Sequence, residues 1–390
     1  MSESVVIFDT TLRDGEQSAG VCFSIQDKLD IATELAKMRV DVIEVGYPAA
    51  SSVEHQAVSR VAKEVRTSRI CALARCVPRD IEIAADAIKG AAEGRLHLFL
   101  STSDVQLAHQ LRKDRSEVVG LAKSMVRMAR NLASDVEFSP MDATRADPEF
   151  LAEVVRAALS SGATTINIPD TVGFILPDEL AARITKLRRD VPELDGAIVS
   201  FHGQDDLGMA TANAMAAVRA GARQVEVAVN GIGERAGNTS LEEVVMALRV
   251  HGELLGVSTR VDTTRIYPLS KLVEERSGIA VPSNKAIVGK NAFRHASGIH
   301  QDGVLKRRET FEVIDPAWVG HPTGTEIVLG KLSGRAGFRS RARQLGYDLT
   351  SRDFENAFSK FQALADQSRE VSGDDVVRIC REVGGVALAK

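Results

Sequence analysis

Through its first 250 or so residues the chain alternates short apolar runs with longer amphipathic ones. The runs Val5–Asp9, Val42–Gly46, Arg69–Ala74, His97–Ser101, Val136–Ser139, Thr165–Pro169, Ala197–His202 and Gln224–Val229 are rich in Val, Ile, Phe or Thr. Each is bounded by polar or turn residues, which predicts a strand. Helical periodicity fills the intervals, as in Ile25–Met38, Ser116–Asn131, Asp147–Leu159, Pro177–Leu187, Gly208–Ala220 and Leu241–Leu248, with Asp147 and Ser240 placed as N-caps. A strand and a helix about every 30 residues imply parallel βαβ units. Eight such units in about 250 residues are the size of a closed (β/α)8 (TIM) barrel. Periodicity does not show closure, so an open doubly wound sheet is the competing architecture. After Val250 the pattern shifts to more Pro, Gly and charge, then to a helical hairpin from Ser351 to about Val383. This predicts a catalytic barrel over residues 1–258 and a smaller, mostly helical C-terminal subdomain over 259–390.

Composition narrows the partners. The chain has 390 residues, 26% of them charged, and a net charge of -4 without a basic stripe, which argues against nucleic acid or an anionic membrane surface. No apolar run reaches the roughly 18 residues of a membrane span, and no secretory leader is expected. Cys22, Cys71, Cys76 and Cys380 match no zinc spacing and read as reduced thiols of a cytoplasmic protein.

In a barrel, reacting groups gather at the C-terminal ends of strands. Here those ends carry Asp9 to Gln17, Glu44, Ser101 to Ser103, Ser139 to Asp142, Asp170 and Thr171, His202 to Asp206, and Asn230 to Asn238. His202 and Gln204 are two apart on an extended segment and share a face. With Asp14 and Asn238 they offer a carboxylate, an imidazole and two amide oxygens, a set that suits Mg2+, Mn2+ or Zn2+. The competing reading is an Arg13–Asp14 ion pair beside a satisfied buried histidine. A bound cation would polarise a 2-oxo acid, with Arg13 holding its carboxylate and the developing alkoxide. Gly231, Gly233 and Gly237 form a loop of backbone donors, but without dinucleotide-fingerprint spacing.

Several of these segments carry a resemblance. Phe8-Asp9-Thr10-Thr11-Leu12-Arg13-Asp14-Gly15-Glu16-Gln17 with Lys28 resembles the opening signature of the 2-isopropylmalate and homocitrate synthases. Asn167 to Gly173, Asn230 to Asn238, Asn284 to Gly289 and Ser297 to Gly303 are similar to later motifs of the same family. The resemblance implies an acyltransferase that condenses acetyl-CoA with a 2-oxo acid, with a divalent metal as cofactor. It implies Asp14, His202 and Asn238 as metal ligands, joined here by Gln204. It implies Arg13, His97, Ser139 and Thr171 as substrate contacts, Glu44 as a carboxylate near the substrate, and Gly231, Gly233 and Asn238 near acetyl-CoA. His300 is implied as a proton-transfer histidine that reaches the neighbouring subunit's site in a homodimer. The leucine-sensing domain common in the family is not expected here.

The departures from the family pattern are specific. Gln204 stands where a second histidine is usual, Met141 and Ala296 where glutamates are, Phe311 for a tyrosine and Leu332 for a histidine, and Arg294 adds a charge. Loss of two carboxylates with gain of Arg294 leaves two substrate expectations open. One is an isopropylmalate-type neutral acceptor. The other is an anionic 2-oxo acid bound partly through Arg294, as in a homocitrate or phosphonomethylmalate synthase. An inactive barrel acting as a binding protein is the non-enzymatic alternative.

Overall fold

The computed structural model describes residues 3–368 and 370–387. Eight parallel strands close into a barrel: β1 Val6–Asp9, β2 Val42–Gly46, β3 Arg69–Arg75, β4 Gly94–Ser101, β5 Val136–Met141, β6 Thr165–Asp170, β7 Ile198–Gly203 and β8 Gln224–Val227. Each strand pairs with the next, and β8 returns to β1 with Val6 opposite Gln224 and Asp9 opposite Val227. Closure rules out the open sheet. The strands are buried on both faces, as covered parallel strands are, and so read as nearly continuous apolar runs.

The helices of this unit are α1 Ile25–Lys37, α2 Ser52–Glu64, α3 Pro78–Ile88, α4 Arg115–Leu132, α5 Pro148–Ser160, α6 Pro177–Asp190, α7 Ala210–Arg219, α8 Leu241–Leu255 and α9 Ile266–Ser277. Local chemistry sets several starts. Ser24 and Asp27 form a capping box on α1, and Asp114 with Glu117 forms another on α4. Asp147 caps α5 by accepting from the Phe150 amide, with Pro148 at the first helical position. Ser240 precedes α8 as expected, but its side chain makes no capping bond.

The interior is layered because side chains alternate along each strand. Phe8, Val42 and Cys71 pack together on the β1–β3 side. Opposite them lies a polar layer. Arg95 donates to Glu137 and Gln224 at 2.7 Å each, and Gln224 donates to Glu137 and Ser200. The Arg95–Gln224 bond runs from β4 to β8, which are not neighbours, so it crosses the barrel. This explains why β4 begins three residues before the predicted His97: a buried, paired arginine interrupts the apolar pattern without ending the strand.

The chain divides into two compact units, residues 1–281 and 282–390. Residues 259–281, assigned from the sequence to the C-terminal part, group with the barrel, where Asn230 bonds the Ser270 carbonyl on α9. The second unit contains α10 Gly298–Lys306, α11 Arg335–Gln344, α12 Ser351–Ala365 and α13 Gly373–Glu382. Phe338, Phe354, Phe358 and Phe361 pack with Val376 and Ile379 in its core.

Removing Arg95 would strand Glu137 as a buried, unpaired carboxylate. R95M is expected to lower the unfolding free energy by about 3–5 kcal/mol, and R95M/E137M by less, since the double variant leaves no lone charge. Denaturant titration of the wild type and both variants measures this.

Candidate active site

At the C-terminal ends of the strands lies a cavity of about 390 Å³. Its lining includes Arg13, Asp14, His97, Ser139, Thr171, His202 and Gln204, seven of the residues singled out from sequence. The remaining predicted barrel residues, Glu44, Gly231, Gly233 and Asn238, are not on its wall.

The turn after β1 delivers Arg13 and Asp14. The Thr10 carbonyl accepts from the amides of Arg13, Asp14 and Gly15, and this folds the chain tightly at the strand end. Thr11 ties the turn to the end of the neighbouring β8: its hydroxyl donates to Asp9 and accepts from the Val229 amide. Behind it, Lys28 is fully buried between Glu16 at 2.8 Å and Glu54 at 2.7 Å. Gly46 permits that clasp, since a Cβ there would lie 1.8 Å from Glu54 Oε1.

His202 Nε2 lies 3.4 Å from Asp14 Oδ2, and the Gln204 amide nitrogen lies 3.3 Å from that oxygen and 3.2 Å from His202 Nε2. Cis ligands of a six-coordinate ion with bonds near 2.1 Å stand roughly 3 Å apart. Gln204 Oε1 and both amide atoms of Asn238 are buried without hydrogen-bond partners among the described residues. Gln204 and Asn238 face each other through an antiparallel bridge. A half-turn of the Gln204 amide exchanges its nitrogen for the oxygen and turns the mutual contact into a ligand set. The residues present therefore fit a divalent cation. His202 Nδ1 meets Glu226 Oε2 at 2.8 Å, an outer carboxylate of the kind that would fix the ring if His202 held a metal.

The loop after β8 builds the Asn238 side of this cradle. Gly237 has φ of 98°, and a Cβ there would lie 2.1 Å from the Gly231 carbonyl. A Cβ on Gly233 would lie 2.5 Å from Asn238 Oδ1. Gly233 makes room for the asparagine and Gly237 for the tight turn that carries it, a structural reason for the motif apart from any ligand.

Two other clusters, Glu44–Cys71–His97 and His97–Glu137–Glu226, bring potential donors within 4.8 Å. They are poor metal sites because, apart from Glu226 Oε1, nearly all of their ligand atoms are committed. Glu44 accepts from Thr10, Arg13 and His97. His97 Nε2 meets Ser139 at 2.7 Å, and both Glu137 oxygens are bonded.

These contacts set the charges. Burial opposes ionisation of Glu44, but Arg13 and His97 outweigh it and hold its carboxyl well below the usual range. Burial likewise disfavours His97 protonation, yet Glu44 raises the imidazole to about 9. Burial pushes the Asp9 carboxyl up to about 7.

Apolar side chains share the lining: Leu73, Phe99, Met141 and Pro169, on β3 to β6, alternate along those strands with His97, Ser139 and Asn167, and Gln17, Gln110, Glu234 and Arg235 also reach the cavity. Sequence reasoning gave no site role to Leu73, Phe99, Asn167 and Glu226. The signal was present: Phe99 lies two residues from His97, Asn167 four from Thr171, and Glu226 faces inward two residues from Gln224.

Two expectations concern the second unit. Arg294 is not a spare cation, because Glu326 and Glu370 each pair with it at 3.1 Å, so the added positive charge expected there is neutralised within its own unit. His300, on α10, is exposed and stacks on Phe311 with centroids 4.0 Å apart.

The fold and site define the class. The HMGL-like family profile matches residues 4–273, and one described as homocitrate synthase post-HMGL domain-like matches 287–369. A hydroxymethylglutaryl-CoA lyase structure from Pseudomonas aeruginosa shares the fold, with TM-score 0.62 and 21% identity over 73% of this chain and 97% of that one. Among curated proteins, the 2-isopropylmalate synthase of Carboxydothermus hydrogenoformans is 52% identical, and that of Synechocystis sp. 49% identical. Each match spans 97% of this chain and 74% of the relative. The chain belongs to the 2-isopropylmalate synthase family of HMGL-like barrel enzymes.

Binding of Mn2+ to the metal-stripped protein, followed by its paramagnetic resonance signal, is expected to weaken at least tenfold in D14N and in N238A, each of which would remove one candidate ligand. Q204H should tighten Zn2+ by restoring an imidazole. Unchanged Mn2+ affinity in D14N and N238A would place the ion elsewhere.

Proposed function

We propose that this chain joins the acetyl group of acetyl-CoA to the keto carbon of a neutral 2-oxo acid, with 2-oxoisovalerate as the expected acceptor and 2-isopropylmalate and CoA as products. One observation carries the reading: a single cavity combines the Asp14–His202–Gln204 cluster and the Arg13 guanidinium with the apolar side chains of Leu73, Phe99, Met141 and Pro169. The polar groups suit the keto and carboxylate oxygens, and the apolar side chains suit a branched alkyl group. The names of the relatives support the same acceptor. The further arginine on the lining, Arg235, is paired with Asp206, and Arg294, which motivated the anionic alternative, is paired with Glu326 and Glu370.

Asp14, His202, Gln204 and Asn238 would hold the ion, Mg2+, Mn2+ or Zn2+. A divalent cation there would act as a Lewis acid on the keto oxygen. Arg13, held by Glu44, orients the substrate carboxylate and steadies the negative charge on the former keto oxygen. His97, Ser139 and Thr171 complete the polar contacts. The acetyl methyl group loses a proton, its carbon attacks the keto carbon, and water then cleaves the thioester to release CoA. Met141 supplies no base. His300 of a second copy is our candidate for the proton transfers, since it is exposed and histidine titrates near neutrality. The Gly231, Gly233 and Asn238 loop is the proposed approach for acetyl-CoA. A homodimer in the cytoplasm is the assembly this reading requires.

Thiol release from acetyl-CoA should be fastest with 2-oxoisovalerate in a panel containing 2-oxoglutarate, oxaloacetate and phosphonopyruvate. Preference for a dianionic acid would sink the neutral-acceptor reading. R13A should lower kcat/KM by about 10²–10³. Mixing the homodimers of R13A and H300A should recover up to about a quarter of wild-type activity, because half of the reassorted dimers hold one intact site. No recovery after demonstrated subunit exchange would show that His300 acts within its own chain or not at all.

A further inference from the structure

We propose that Glu44, acting through His97, and Asn167 are positioning residues that commit the Ser139 hydroxyl to donate into the cavity, where it recognises a carboxylate or keto oxygen of the substrate. This role presupposes the 2-oxo acid acceptor proposed above.

The assignment follows from counting donors and acceptors. Glu44 Oε2 accepts from Thr10 and from Arg13 Nε, each at 2.7 Å, and Oε1 faces His97 Nδ1 at 2.7 Å. An ionised carboxylate only accepts, so Nδ1 must carry a proton. His97 Nε2 lies 2.7 Å from Ser139 Oγ. The charges that bear on this ring are Glu44 on β2, Glu137 on β5 and Glu226 on β8; Arg13 and Arg95 pair with Glu44 and Glu137, the Cys71 thiol on β3 lies within 4.8 Å, and the Phe8 ring stands edge-on at 5.8 Å. Burial works against the imidazolium, but Glu44 foremost keeps it protonated to about pH 9. In that state Nε2 also bears a proton and donates to Ser139. Asn167 Nδ2 donates to the same oxygen at 2.9 Å. Two donors fill both lone pairs of the hydroxyl, so its own proton must point elsewhere. Ser139 lines the cavity, and the proton is left for a ligand.

Loss of the His97 proton reverses this polarity. A neutral ring, with Nδ1–H kept on Glu44, offers Nε2 as an acceptor and draws the Ser139 proton away from the cavity. The folded-state pKa is raised, so the donor is present below about pH 9 and lost as pH rises through it. Binding of the 2-oxo acid carries that dependence.

The test is the pH profile of KM for 2-oxoisovalerate in the metal-loaded enzyme, for wild type, S139A and E44Q, alongside nitrogen-15 spectra of the His97 ring in the wild type. Wild-type KM is expected to be level below about pH 9 and to rise above it toward the S139A value, about tenfold higher, with kcat changing less. S139A should show a KM raised about tenfold and no break, because there is no hydroxyl left to turn. E44Q should move the break down toward the ordinary imidazole range. A break that persists in S139A, or a neutral His97 ring at pH 7.5, would overturn the assignment. Absence of thiol release with every 2-oxo acid would instead sink the acceptor reading and this role with it.

Discussion

The active end of the barrel depends on one buried carboxylate. Glu44 has no access to solvent, and its two oxygens bind Thr10, Arg13 and His97, which arise from the turn after β1 and from β4. A charge removed from water costs several kcal/mol unless it is paired and hydrogen-bonded on every side. Glu44 therefore forces Arg13 and His97 into fixed positions as much as they neutralise it. Arg13 is pinned at Nε, which leaves its terminal nitrogens for Asp14 and the cavity. His97 is pinned at Nδ1, which leaves Nε2 for Ser139. Glu44, which the resemblance places near the substrate, stands behind the groups that face the cavity, and its part in our reading is to orient them.

This constraint is one level of a graded interior. Phe8, Val42 and Cys71 pack on one side of the barrel, with the Arg95–Glu137–Gln224 network opposite. One residue pair further along the strands come Glu44, His97, Ser139, Asn167, His202 and Glu226, each tied to at least one of the others. Beyond these, Leu73, Phe99, Met141 and Pro169 on β3 to β6 add hydrocarbon to the cavity, and Asp14 and Gln204 join His202 on the β1 and β7 side. A rigid scaffold that holds both charge and hydrocarbon in place can orient a small 2-oxo acid without a flexible clamp.

The departures from the family pattern acquire physical meaning in this frame. Gln204 keeps a ligating atom at the cradle but exchanges a nitrogen for an oxygen, a harder donor. Met141 puts a thioether in the cavity lining and enlarges the hydrocarbon surface there. Arg294 carries no excess charge, because two glutamates pair with it. Phe311 stacks on His300 without a hydroxyl to share with it.

The β/α rhythm, and with it the eight strands, was legible in the chain because parallel barrel strands are buried on both faces and form compact apolar runs. The polar residues at the strand ends were legible for the same reason: a barrel gathers those ends on one face, so position along a strand translates directly into position in the site. Asn167 drew attention only as the start of a motif, and Glu226 not at all, because they sit within strands, where polar residues interrupt an apolar pattern without marking a turn. Only their pairing with Ser139 and His202 across neighbouring strands shows their use. The end of the barrel unit at Val281 was equally hidden, since it depends on which element α9 packs against rather than on a change in composition. The sequence by itself determined the order of elements and the inventory of reactive groups, because both follow from local periodicity and residue chemistry. The tertiary structure decided closure, the partner of each buried charge and the combination of polar and apolar groups around the cavity, because those depend on distances between residues far apart in the chain.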